Sequence, residues 1–488
     1  MDELPKIPRC MSTQHPDNVH VPFFAEGSTL SGEDEVREAY YIYSHLGCRE
    51  QMWDCEGKEV DNFVVKKLLS NYPTFFSEKK LGRDIFLTLR VPNPQVEQAE
   101  AKILLETLES IPRSFDIANV FSHDDIAPIF EVILPMTTGH IPIDNIYQYY
   151  SDFVVGKQYK RLGGRDTTIA EWIGTFSPKR INVIPLFEDK ECMLNAHTSI
   201  HRYLLEKDLP YQRVFLARSD PAMNYGLVSA VLLNKIALRR LALLQERIAT
   251  PLFPIIGVGS APFRGNLRPD TIDRVTAEYP SVHTFTIQSA FKYDYPLDDV
   301  RSAVRTLEDR TSSPPPVFDE KRCQDIIAKY TEGYIRELAP LSEIINRISA
   351  YVPSRRKRKL HIGLFGYSRS TGGIKLPRAI TFTAALYSLG LPPEILGLSA
   401  LDADDLAFVR DVYVNFDQDL ADAVWYLNPD SPYLSPSMAS AVERISGCTP
   451  DDEHKQITDC ILETIRDRRD KDLPENILRA AQVRRFLG

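Results

Sequence analysis

Short apolar, β-branched runs recur along the chain: "DIFLTL" (84–89), "PIFEVILP" (128–135), "INVIPLF" (181–187), "RVFLA" (213–217), "LFPIIGV" (252–258), "VHTFTI" (282–287) and "LHIGLF" (360–365). They are nearly continuous in apolar character rather than alternating, as strands buried on both faces are. Helical patterns separate them, which predicts a parallel sheet with helical crossovers. In "SGEDEVREAYYIYSHLG", Ser31 with Asp34 three positions on predicts a capped helix start, and Gly47 its stop. Asn93 followed by Pro94 predicts a second start, with Asn93 as N-cap. "AVLLNKIALRRLALL", broken by Lys235, Arg239 and Arg240, reads as an amphipathic or core helix, and "RTSSPPPVF" (310–318) as a linker.

The residues just beyond each apolar run narrow the architecture. Arg90 comes after the first, Glu188 after the third, Arg218 and Asp220 after the fourth, Arg264 (in "GSAPFRGN") after the fifth, Gln288 after the sixth and Arg369 (in "GYSRSTGG") after the last. Six strand ends that discharge into polar turns fit a (β/α)8 TIM-type barrel, whose active site is built from the C-terminal ends of its strands. A doubly wound sheet would gather ligands only near its switch point. At 488 residues the chain is about twice the usual barrel length. A single catalytic domain over 1–488 is therefore expected, with many additional α-helices and a C-terminal helical region.

Composition removes several function classes. Hydrophobic residues make up 43% and charged residues 26% of the chain, as in globular proteins, and no apolar stretch approaches the roughly 20 residues of a membrane span. "MDELPKIPR" lacks the charged-then-apolar order of a signal peptide, so a soluble cytoplasmic protein with no membrane partner is expected. The seven cysteines (10, 48, 55, 192, 323, 448, 460) form no CxxC pair and read as reduced thiols. A net charge of -9 argues against nucleic acid as a partner. The basic run "SRRKRK" (354–359) reads as solvated surface charge.

Glu188 and Asp220 offer two hard oxygen ligands at adjacent strand ends, suited to Mg²⁺ or Mn²⁺ rather than zinc. Arg90, Arg264, Arg369 and Arg378 bring planar forks for carboxylates and phosphates, which in an acidic protein points to a small, multiply anionic substrate. The glycines of "GVGSAPFRG" and "STGG" resemble phosphate-cradling loops without matching a Walker or dinucleotide fingerprint. No GxSxG or HExxH occurs. "MSTQHPDN" (11–18) is ordinary turn chemistry by itself. Beside a site that otherwise lacks a general base, its His15 becomes the candidate.

Together these segments resemble phosphoenolpyruvate carboxylases, specifically the short archaeal-type branch. "STQHPDN" is similar to the branch's N-terminal signature and places His15 on the catalytic histidine. "PLFE" and "ARSDPAMNYG" resemble the metal-ligand segments, giving Glu188 and Asp220. "GVGSAPFRG" places Arg264 on the essential arginine of the glycine-rich loop. "SRSTGGIKLPR" carries Arg369 and Arg378 as substrate-site arginines, Arg369 as a catalytic one, and "LTLRVPNP" places Arg90 on a phosphate-binding arginine. Gln288 joins the substrate-binding set from its strand end. The resemblance implies carboxylation of phosphoenolpyruvate with bicarbonate to oxaloacetate and phosphate, through carboxyphosphate and an enolate. It also implies Mg²⁺ (or Mn²⁺) and a homotetramer.

Two positions depart from the longer enzymes of the family: Val258 stands where they carry an additional phosphate-binding arginine, and Met223 where they carry a lysine. Arg83, Arg165, Arg218 and Lys292 are candidates for completing the phosphate site. Asp54, Glu56 and Lys58, in "MWDCEGKEVDN" (52–62), are expected as a polar cluster near the mouth. A metal-dependent barrel lyase or aldolase acting on a 2-oxo acid is the rival enzyme. It accounts for the carboxylates but not for "STQHPDN". A non-catalytic relative, a metabolite-sensing or scaffolding protein that keeps the barrel, is the rival from another class. The decisive geometric requirement is that residues 11–18 fold over the barrel mouth, close to Arg264.

Overall fold

The computed structural model describes residues 6–55, 61–97, 101–205, 207–357, 369–371, 374–445, 447 and 449–488. Eight parallel strands close a barrel in chain order: β1 Cys10–Ser12, β2 Glu50–Asp54, β3 Phe86–Arg90, β4 Glu131–Leu134, β5 Asn182–Phe187, β6 Gln212–Ala217, β7 Leu252–Gly257 and β8 Thr284–Ile287. β1 closes it by pairing with both β2 and β8. Numerous helices surround it, so the elaborated (β/α)8 barrel expected from the sequence is the observed architecture.

Six of the seven apolar runs supply β3 to β8. The run 360–365 lies outside the described residues, and the barrel is complete without it. β1 and β2 come from "CMS" and "EQMWD", which form no apolar run, yet every residue in both strands is buried.

Side chains alternate along each strand, which stacks the barrel interior in layers. β2 presents Glu50, Met52 and Asp54 in turn, while β6 presents Arg213, Phe215 and Ala217. The middle is a dry plug of Met11, Met52, Ile133, Ile184, Leu186, Phe215, Ala217 and Ile255. Beneath it, at the N-terminal end, Arg213 donates to Glu50 Oε1 (2.7 Å), Glu50 Oε2 (2.7 Å) and Glu131 Oε2 (2.9 Å). Thr88 and Tyr211 donate to the same two carboxylates.

The helix Leu227–Gln245 is the expected core helix, and its Lys235 pairs with Glu278. Residues 310–319 are irregular and lead to the helix Glu320–Leu338, which packs on Leu227–Gln245. Gly226 turns the chain at φ +82° into that contact, where a Cβ would lie 2.6 Å from the Tyr330 ring. Among the described residues no single helix is long and apolar enough to cross a membrane.

Three local expectations are corrected. The helix Glu33–Tyr41 starts from Gly32 with no side-chain cap, because Asp34 instead accepts from Glu26 N and Arg37. It does run on through Ile42–Leu46 to Gly47. After Asn93 the described backbone is a turn over residues 94–96 rather than a helix: Asn93 Oδ1 accepts from Gln95 N (3.0 Å), the Asn93 amide nitrogen bridges to the Pro135 and Met136 carbonyls beyond β4, and the next described helix is Ala101–Ser122. The basic run at 354–359 is a solvated face only in part: Ser354 and Lys357 are exposed, but Arg355 and Arg356 are buried. Arg355 donates to the Asn18 and Val19 carbonyls, and Arg356 pairs with Glu35 and Glu38.

Candidate active site

A cavity of about 630 Å³ opens at the C-terminal end of the barrel. Its wall includes His15, Arg90, Glu188, Arg218, Asp220, Arg264, Gln288, Ser354–Arg356 and Arg378. Seven of the eight predicted site residues are thus brought together. The eighth, Arg369, begins a short antiparallel pairing, Arg369–Thr371 with Ile374–Leu376, and its side chain lies outside the described residues.

The His15 segment lies over the mouth because its polar groups are spent on neighbouring strand ends. Thr13 N donates to Ile287 O and extends the ladder past β1. The Gln14 side chain accepts from Asp54 N (2.9 Å), and the His15 carbonyl accepts from Ser289 N (3.2 Å). Lys292 donates to Ser12 Oγ and the Thr13 carbonyl from below. His15 Nδ1 pairs with Thr13 Oγ1 at 2.8 Å, which fixes the orientation of the ring at the cavity wall.

Two residues on, Asp17 ties this segment to Arg264. Its Oδ1 accepts from Ala290 N (2.7 Å), and its Oδ2 lies 3.3 Å from an Arg264 guanidinium nitrogen. Burial pushes the Asp17 carboxyl above its ordinary value, and Arg264 is the main group opposing that shift. The rest of the Arg264 fork is also held: Nε donates to Ser219 Oγ (3.2 Å), one terminal nitrogen to the Gly488 carbonyl (2.6 Å) and the other to Gln288 Oε1 (2.5 Å). A fork fixed on every side is pre-oriented. Its loop turns at Gly265, φ +121°, where a Cβ would lie 2.6 Å from Val258. Val258 therefore packs against the turn of the loop.

Arg90 at the end of β3 is gripped by Asp54 at the end of β2, with Nε and a terminal nitrogen at 3.0 and 2.6 Å from the two carboxylate oxygens. Of the expected cluster, Asp54 is at the mouth, while Glu56 and Lys58 lie outside the described residues. Glu188 follows β5 and accepts from Met136 N (2.6 Å); Asp220 follows β6 in the first turn of the helix Ser219–Tyr225. These half-buried carboxylates on adjacent strands are the wall's pair with the chemistry to hold a hard divalent cation. Among the described residues no cluster of three His, Cys, Asp or Glu ligands forms.

The four candidates for the phosphate site separate. Arg83 pairs with Asp84 on the surface ahead of β3, and Arg165 is exposed on a loop. Lys292 is fully buried under the His15 segment, held by Glu38. Only Arg218 reaches the cavity wall, buried, with bonds to Tyr279 Oη (3.3 Å) and the Phe263 carbonyl (3.1 Å). Met223 is packed in the core.

Asp17, Ser219, Arg355 and Arg356 were not visible as site residues in the sequence. Arg356 and Lys292 converge on Glu38; burial alone would raise that carboxyl, but the two cations outweigh it and hold it well below the carboxylate range. The one available signal was the density of basic residues at 354–359, which fits a buried counter-charge as well as a surface.

Comparison with known proteins bears on this arrangement. The phosphoenolpyruvate carboxylase family model matches residues 7–488. The chain belongs to the phosphoenolpyruvate carboxylase family. A phosphoenolpyruvate carboxylase of Methanospirillum hungatei is 61% identical over 483 residues, 99% of this chain and 100% of the relative. Those of Methanothermobacter thermautotrophicus and Pyrococcus furiosus are 57% and 50% identical, over 99% of this chain and 100% of each relative. The family match includes the His15 segment, all eight barrel strands and the C-terminal helices.

Proposed function

We propose that this cavity carboxylates phosphoenolpyruvate with bicarbonate, yielding oxaloacetate and phosphate. The observation that carries the reading is the convergence of His15, Glu188, Asp220 and four arginines (90, 218, 264, 378) on one cavity, in a chain of this family. Arg90, Arg218 and Arg378 bind the phosphoryl and carboxylate oxygens of the substrate and neutralise the charge spread over them during transfer to bicarbonate. Arg369, on the pairing next to Arg378, belongs to the same set. His15 then takes the carboxyphosphate proton, so that CO₂ is released beside the enolate, while Arg264 holds carboxyphosphate and CO₂ in place. Gln288 fixes the Arg264 fork as well as facing the substrate.

Mg²⁺ or Mn²⁺ fits the donor set, because two carboxylates without thiol or imidazole suit a hard cation that keeps room for substrate and water oxygens. Glu188 and Asp220 would hold it. When bound, the cation supplies Lewis-acid stabilisation of developing negative charge.

A homotetramer in the cytoplasm completes the reading. Tyr159, Trp172 and Ile173 are 70%, 68% and 56% exposed within one short stretch of chain, apolar surface of a kind that association covers. Cys10, Cys48, Cys192, Cys323 and Cys460 are free thiols, which fits a reducing compartment.

The test is an assay coupled to malate dehydrogenase with NADH. NADH oxidation is expected only when phosphoenolpyruvate, bicarbonate and Mg²⁺ or Mn²⁺ are all present. Oxaloacetate formation independent of bicarbonate, or cleavage of a 2-oxo acid instead, would favour the lyase or aldolase alternative.

A further inference from the structure

Glu394 is fully buried on the short turn Pro393–Ile395, outside the barrel and far along the chain from the cavity wall. One carboxylate oxygen, Oε1, accepts from the Phe263 amide (2.5 Å) and from the Tyr387 hydroxyl (2.7 Å). The other, Oε2, has no hydrogen-bond partner, and no ion pair reaches this carboxylate among the described residues. Burying an acid on those terms costs stability. The cost is explained by what the acid holds, since Phe263 immediately precedes Arg264.

The same outer layer grips the loop on the other side of Arg264. The Asn266 side chain, at φ +57°, donates to Asp419 Oδ1 (2.7 Å) and Asp422 Oδ2 (2.8 Å). Inside the loop, Gly259 N bonds to the Arg264 carbonyl, and Arg218 donates to the Phe263 carbonyl. Phe263 is thus held by Glu394 through its N–H and by the cavity arginine through its C=O. A shift of this residue moves Arg264 and Arg218 together.

We propose that Glu394 is a positioning residue that keeps carboxylation coupled to phosphate release. The inference deepens the reading above and rests on it. With the loop in register, Arg264 retains carboxyphosphate and CO₂, and the enolate forms its new carbon–carbon bond; the proton that arrived on bicarbonate leaves with phosphate. With the loop loosened, the P–O bond of phosphoenolpyruvate still breaks and phosphate still appears, but CO₂ escapes and the proton ends on the enolate carbon. The products are then pyruvate, CO₂ and phosphate, with every atom of phosphoenolpyruvate and bicarbonate accounted for.

The experiment measures phosphate and oxaloacetate together, in the full chain with phosphoenolpyruvate, bicarbonate and Mg²⁺. The native protein is expected to give a one-to-one ratio. Glu394→Ala raises phosphate over oxaloacetate roughly fivefold, the factor matching one ordinary hydrogen bond, with pyruvate making up the difference. Glu394→Gln keeps a carbonyl oxygen for the Phe263 amide and restores a ratio near one. A folded Glu394→Ala protein that is slower but still one-to-one overturns the proposal, because a structural role predicts lost rate without uncoupling. If the alanine variant does not fold, Glu394→Asp, one methylene shorter, is read in the same way, and a one-to-one ratio there also overturns it. A native protein that forms no oxaloacetate removes the activity itself and this inference with it.

Discussion

The two ends of the barrel use the same residue types for opposite purposes. At the N-terminal end, Arg213 pairs with both Glu50 and Glu131 in full burial, and Thr88 and Tyr211 bond the carboxylates further. At the C-terminal end of the same barrel, Asp54 grips Arg90, and Arg90 still reaches a cavity. The dry plug around Met52 and Phe215 separates the closed charge network from the open one. Charge on a barrel strand is therefore not diagnostic of a site. The mouth is distinguished by an excess of fixed arginines beside two carboxylates, in a space large enough for a small anion.

The largest difference between the ends is expected at Glu188 and Asp220, the pair proposed to hold the cation. A Glu188→Gln, Asp220→Asn double variant should lose about 10³-fold or more in oxaloacetate formation, the several kcal/mol that a Lewis-acid cation contributes, and should no longer bind Mn²⁺ in a spectroscopic titration. Normal Mn²⁺ binding by the variant would mean that other residues hold the ion. Its denaturant midpoint should barely move, because both side chains are only half-buried at the mouth.

The N-terminal end predicts the reverse. Arg213→Met strands Glu50 and Glu131 in a dry interior, so unfolding in urea should show a loss of about 3–5 kcal/mol, while turnover per folded molecule stays near native. Arg90→Met at the mouth should do the opposite, raising KM for phosphoenolpyruvate with a smaller stability loss. If both variants affected stability alone, the two ends would not differ as described.

The smallest expected effect concerns pH. Burial pushes the Glu394 carboxyl up from 4.5 to about 7. The folded protein thus retains this proton after the unfolded chain has lost it, and the stability it contributes is complete below pH 4.5 and lost as pH rises to about 7. Glu394→Gln removes that dependence. Its melting temperature relative to the native protein should therefore improve between about pH 5 and about pH 8. A difference that is constant or falls with pH would contradict the sign.

Much of this was legible in the chain because buried parallel strands announce themselves as apolar runs, and β3 to β8 do so. β1 and β2 do not. Cys10–Ser12 is too short for a pattern, and β2 alternates Glu50, Met52 and Asp54 toward an interior that is charged at both ends, which imitates a half-exposed strand. The candidate residues at strand ends were readable because the barrel sends every such end to one place. Asp17, Arg356 and Glu394 were not, since each acts on a partner distant in sequence: 247 residues separate Asp17 from Arg264, and 318 separate Glu38 from Arg356. Local chemistry points to a turn, a basic patch and an ordinary acid at those positions. Only the closed fold supplies their partners.

If the mouth carries the chemistry, with His15 acting after phosphoryl transfer, the products of His15→Asn should show it. The variant is given phosphoenolpyruvate, bicarbonate and Mg²⁺, and phosphate, pyruvate and oxaloacetate are measured together. Phosphate release that still requires bicarbonate, with pyruvate in place of oxaloacetate, is the predicted result. Oxaloacetate formed at the native rate would contradict it.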